Sequence, residues 1–116
     1  MDAVLRNLRL KDNGDFELAT RLVVQGTSQP ITLSDARLAC ARKDTQEVLI
    51  TCTVGDGVEL GADGWAIITI TQAKIEAAVT AVGHEALAYD CVLVRDSDDS
   101  PQVVLEGDAL LVRGYA

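Results

Sequence analysis

The residue types that could do chemistry in this chain are few, and their spacing limits what each can be. His84 is the sole histidine, and a general base needs a nucleophile within hydrogen-bond reach. The closest approach to a nucleophile elbow, Gly26-Thr27-Ser28-Gln29-Pro30, has one glycine where that sharp turn needs two. His84 therefore reads as a loop residue in Gly83-His84-Glu85 or as a charge partner for a helix C-terminus. Catalysis would need a remote serine or cysteine folded against it. Cys40, Cys52 and Cys91 are odd in number, have no C-x-x-C spacing and no histidine cluster beside them. Neither a zinc site nor a disulfide framework is indicated, and each is expected to pack as a small hydrophobe within an apolar strand. That usage fits a reducing, cytoplasmic setting.

Two loops carry residue types that a binding site could use. Gly55-Asp56-Gly57-Val58-Glu59-Leu60-Gly61 misses the dinucleotide fingerprint, because the third glycine would have to stand at Leu60. An aspartate inside that loop would also oppose a pyrophosphate. Asp96, Asp98 and Asp99 offer oxygen ligands for calcium, yet an EF-hand loop starting at Asp96 needs glycine where Pro101 stands and glutamate where Gly107 stands. The same run is suited to a hairpin tip through side chains that bond their own backbone. No catalytic, metal-binding or cofactor-binding residue is assigned. A small-ligand or calcium-binding module using the Asp-rich turns stands as the alternative function.

The elements that must carry these residues read mostly as strands. Phe16, Leu18, Thr20, Leu22 and Val24 alternate with Asp15, Glu17 and Arg21, the period-two signal of a half-buried strand. Residues 4–10 show a weaker alternation, and Asp12-Asn13-Gly14-Asp15 carries hairpin turn chemistry, so these two segments are expected to pair. A loop at residues 25–30 leads to a strand containing Ala36, Leu38 and Cys40. Lys43-Asp44-Thr45-Gln46 turns it into a second strand containing Val48, Ile50, Cys52 and Val54. The continuous apolar run at residues 65–70 suits a strand buried on both faces. Thr71 is expected to cap a helix over residues 72–82 that Gly83 ends. Leu87, Tyr89, Cys91 and Leu93 form the next strand, followed by residues 103–106 and 109–113, with Gly107-Asp108 expected to mark a bend, tight turn or bulge. The pattern predicts a mainly β sandwich or partly open barrel with one short α-helix, as a single domain over residues 1–116.

Charge narrows the partners. The 116 residues carry a formal charge of −8 and 48% hydrophobic residues. Residues 1–43 hold seven basic and five acidic side chains, whereas residues 44–116 hold three and thirteen. An acidic field repels phosphate backbones and anionic lipid, so no nucleic-acid or membrane partner is expected. The charge split predicts either a polar axis for association or a surface that keeps the protein soluble. Residues 1–6 lack the apolar core of a signal peptide, and no window approaches the length needed to span a bilayer.

Four segments in succession resemble small phage and prophage tail or baseplate-associated domains, including immunoglobulin-like domains of upper baseplate proteins. They are Gly14-Asp15-Phe16-Glu17-Leu18, Gln29-Pro30-Ile31-Thr32-Leu33-Ser34-Asp35-Ala36, Gly64-Trp65-Ala66-Ile67-Ile68-Thr69-Ile70-Thr71, and Tyr89-Asp90-Cys91-Val92-Leu93 with the following Asp-rich turn and Val104-Leu105-Glu106-Gly107. The resemblance covers residues 14–113. It implies a mainly β, antiparallel immunoglobulin-like β-sandwich with one short α-helix and a virion structural role without enzymatic activity, assembled in the bacterial cytoplasm, with other phage structural proteins or further copies of the same chain as partners. Trp65, Val112 and Tyr115 are the candidate interface residues, Trp65 as a large anchor or as core, the other two on an exposed final strand.

Overall fold

The computed structural model describes residues 3–24 and 26–115. Nine strands and one α-helix follow in the order β1 (Val4–Leu5), β2 (Leu8–Lys11), β3 (Phe16–Arg21), β4 (Leu33–Ala41), β5 (Val48–Val54), β6 (Gly57–Leu60), β7 (Trp65–Ile70), α1 (Gln72–Val82), β8 (Ala86–Arg95) and β9 (Pro101–Val112). A 3-10 turn at Ala62–Gly64 leads into β7. The alternating segments became strands because each has one apolar face to bury. In β8, for example, Leu87, Tyr89, Cys91 and Leu93 turn inward while Ala88 and Asp90 turn outward.

The strands form two layers. One runs β5–β4–β8–β9, with β1 and β2 both attached along the free edge of β9; the other runs β6–β7–β3. A short parallel pairing of Thr53 and Val54 with Gly57 and Val58 joins them. Leu8, Leu10, Leu38 and Ile50 from the first layer meet Leu18, Val58, Ile68 and Ile70 from the second in one core. Two faced sheets around one apolar core make a sandwich. The order assigns β3, β7 and β6 to strands B, E and D of an immunoglobulin domain, and β4, β8 and β9 to C, F and G, with β5 as the C′ strand of the variable type. The fold is thus mainly β and immunoglobulin-like, with one helix.

Several local expectations hold. The β4–β5 and β8–β9 pairs are antiparallel hairpins. Thr71 caps α1 by accepting a hydrogen bond from the Lys74 backbone N–H at 3.3 Å, and Gly83, with φ +77°, ends it. The helix buries Ile75 and Ala78 against an end of the core beside β2, β5 and β9.

Three expectations do not hold. Residues 4–10 and 16–24 form no hairpin: β1 and β2 pair with β9 in parallel, and β3 pairs with β7. The inward leucines explain this, because Leu8 and Leu10 stand beside Ala109 and Leu111 in one layer while Leu18 stands beside Ile68 in the other. Residues 12–15 therefore carry the chain from layer to layer, and the sheet is mixed where antiparallel pairing was expected throughout. Gly107-Asp108 does not break β9, which runs unbroken from Pro101 to Val112. The irregularity belongs instead to the edge between β1 and β2. Gly107 has φ +148°, and a Cβ there would meet the Arg6 carbonyl oxygen at 2.6 Å, so only glycine lets the kinked edge close in. Finally, β7 is buried on one face only. Ala66, Ile68 and Ile70 are fully buried, while Trp65, Ile67 and Thr69 turn outward, where no third layer covers them.

Candidate functional site

His84 lies where the chain leaves α1, with Nε2 2.9 Å from Asp12 Oδ2. Asp12 Oδ1 accepts a hydrogen bond from the Gly114 N–H at 2.8 Å. That backbone bond first, and His84 second, hold the Asp12 carboxyl below its ordinary range. No serine or cysteine among the described residues is hydrogen-bonded to His84. The pair staples the end of β2, the loop after α1 and the chain after β9, and offers no nucleophile.

The three cysteines are free and fully buried. Leu38 lies between Cys52 on β5 and Cys91 on β8, while Cys40 faces Ile50 and Tyr89. Two strand spacings separate Cys52 from Cys91, about 10 Å, which exceeds the reach of a disulfide, and Cys40 and Cys52 are diagonal neighbours at about 7–8 Å. Burial pushes the thiols of Cys40 and Cys91 up to about 12, with smaller contributions from Cys52 and Asp90. These are core side chains with no thiolate to offer.

The Asp-rich turn uses its carboxylates on itself. Asp98 accepts from Arg95 at 2.8 Å and from the Ser100 N–H at 3.1 Å, and Asp99 accepts from the Ser34 hydroxyl at 3.2 Å. Among the described residues no group of three or more His, Cys, Asp or Glu is arranged to hold a metal ion.

Trp65 is 39% exposed and stacks under Arg21, whose guanidinium carbon lies 5.2 Å from the ring centroid. Val112 ends β9 beside Lys11, and Tyr115 beyond it is 91% exposed. Trp65 belongs to the outer face of the second layer and Val112 to that of the first, so the structure does not bring these candidates onto one surface.

The outer face of the first layer assembles a group that no local pattern announced. Ala39 on β4 is registered with Asp90 on β8, and Asp90 with Glu106 on β9; the next row is Ala41, Ala88 and Asp108. The alanines floor an open depression of about 500 Å³, and Asp90 and Glu106 line it. The two carboxylates are directly opposed, an arrangement that costs up to about 1 kcal/mol. Neither has a hydrogen-bond or ion-pair partner among the described residues. The nearby cations are committed elsewhere: Lys43 Nζ is 2.8 Å from Asp108, and Arg42 Nε is 3.2 Å from Asp44. Leu5, 78% exposed, extends the row beyond Glu106. Alternation in the sequence marks Ala39, Ala41 and Asp90 as outward, but the register that aligns them with Glu106 and Asp108 is tertiary. A second open depression, of about 550 Å³, lies on the other layer around Val54, Leu60 and Ile67, with Glu59 as its ionisable group.

No protein-family model matches the chain, and no curated protein matches it. Among solved structures, the chain is similar to the NK cell receptor Nkp44, described as a triggering partner in natural cytotoxicity, at 14% identity with a TM-score of 0.47, over 98% of this chain and 100% of that one.

Proposed function

We propose that the protein is a non-enzymatic assembly module whose docking surface is the outer face of β5–β4–β8–β9. The observation that carries this reading is the uncompensated pair Asp90 and Glu106, opposed across the β8–β9 ladder above a floor of alanines. A like-charge pair that lowers the stability of the free domain becomes favourable once a partner brings a cation to it. Shallow, small-residue sheet faces suit flat protein contacts better than enclosed small molecules.

The succession of segments that resembles phage tail and baseplate-associated domains supports a phage or prophage particle as the assembly. In that reading the chain is made in the bacterial cytoplasm, carried in the virion and contacts other structural proteins or further copies of itself. The same reading leaves nucleic acid and membrane out of its partners, because an acidic field repels phosphate backbones and anionic lipid.

The test is incorporation. Quantitative mass spectrometry of particles purified from the strain encoding the chain should find it at a fixed ratio to other tail components. An Ala39→Arg variant, which fills the depression at a partly exposed site, should melt like the wild type and be left out of the particle. Particles without the chain, or a variant incorporated as well as the wild type, would contradict the proposal.

A further inference from the structure

We infer that the docking face takes a second copy of this chain, in a two-fold dimer that sets Asp90 and Glu106 of each copy against Arg9 and Lys11 of the other. This rests on the reading of that face as a docking surface and adds the partner. The face carries both signs of charge, segregated. Asp90 and Glu106 occupy one row, while Arg9 and Lys11, the outward residues of β2, flank Leu110 and Val112 further along β9. Arg9 and Lys11, like the two carboxylates, have no hydrogen-bond or ion-pair partner among the described residues. Five other cationic side chains, Arg37, Arg42, Lys43, Lys74 and Arg95, are already ion-paired within the domain.

The spacing suits a closed pair. Four residues along β9 and one strand across separate Glu106 from Arg9, about 14 Å at ordinary strand dimensions. A two-fold axis lying in the interface midway between them, near Asp108, superposes the acidic row of one copy on the basic edge of the other, twice over. An isologous contact needs such self-complementarity. Half-buried Leu110 and Val112 and the exposed Leu5 then lie within the covered area. Five strands about 4.8 Å apart and some seven residues long give a footprint of about 550 Å² per copy. About 1,100 Å² in total is the lower end of specific association, which predicts a salt-sensitive dimer of micromolar affinity.

Light scattering after gel filtration, from 1 µM to 1 mM chain in about 50 mM and about 500 mM salt, reads the outcome. The wild type should pass from monomer to closed dimer, with the dissociation constant rising at least tenfold at the higher salt. Asp90→Lys with Glu106→Lys should be monomeric, and so should Arg9→Glu with Lys11→Glu. An equimolar mixture of the two variants should form a one-to-one dimer, since one contact is then the native one and the other is restored with the signs exchanged. Should either reversal fail to fold, Asp90→Asn with Glu106→Gln should weaken the wild-type dimer about tenfold. A wild type that stays monomeric at 1 mM in low salt, variants that associate like the wild type, a mixture that stays monomeric, or masses growing beyond the dimer would each overturn the inference. A monomer would leave the exclusion of Ala39→Arg from particles standing, so the two readings fail separately.

Discussion

Gly107 shows how one residue can set the shape of an edge. It gives the kink between β1 and β2 room, and Tyr89, whose hydroxyl donates to the Arg6 carbonyl at 2.7 Å, fixes it from beneath. Replacing Gly107 with alanine adds a Cβ to an occupied space at φ +148°. Denaturant titration should find that variant less stable by about 2 kcal/mol or more. The sequence marks Gly107 as irregular, but the reason lies in Arg6, about a hundred positions away along the chain and invisible to any local window. The cysteines were legible, because alternation alone assigned them inward. With Cys40 and Cys91 held near 12, about one thiol in ten thousand is ionised at pH 8. A soluble aromatic disulfide reagent should therefore leave both unlabelled in the native protein and label them in denaturant.

At the scale of elements, α1 is the segment that local rules described best, cap and stop included. Thr71→Ala removes the cap and leaves the Lys74 N–H without its acceptor. A loss of about 1 kcal/mol follows, read as a fall of about 4 °C in melting temperature. The Asp12 staple binds elements that are distant in sequence, and its response to pH has a definite sign. The Asp12 carboxyl is held below its ordinary 3.8, chiefly by the Gly114 N–H. The folded state therefore favours the ionised form, and the stability this adds is present above pH 3.8 and is lost as pH falls through the lower, folded-state value. The melting-temperature gap between wild type and Asp12→Ala should narrow as pH falls below 3.8. Most strands were legible; β6, which stands where the glycine-bracketed residues 55–61 read as a loop, was not, and neither was the pairing of residues 4–10. A turn-forming sequence between two alternating segments signals a hairpin, and the signal failed because each segment found a better apolar surface in a different layer.

At the scale of the whole molecule, the formal charge of −8 opposes compaction, and salt should relieve it. Raising ionic strength from about 0.01 M to about 0.1 M shortens the Debye length from about 30 Å to about 10 Å. At protein concentrations well below the dissociation constant of the dimer, the melting temperature should rise over that range; a fall would mean that the surface ion pairs outweigh the net repulsion. The same salt should dissolve the dimer, so stability and association move in opposite directions. What the amino-acid sequence determined by itself is local and periodic: which central residues of most strands turn inward, where the helix starts and stops, and the mainly β class. Those properties depend on neighbours a few positions apart. Only the tertiary structure decided that β1 and β2 run parallel to β9, that His84 meets Asp12, that Trp65 and Val112 face opposite ways, and that Asp90 and Glu106 stand opposed on a floor of alanines. Each of these depends on strand register, which is set by which apolar faces bury one another across the whole core.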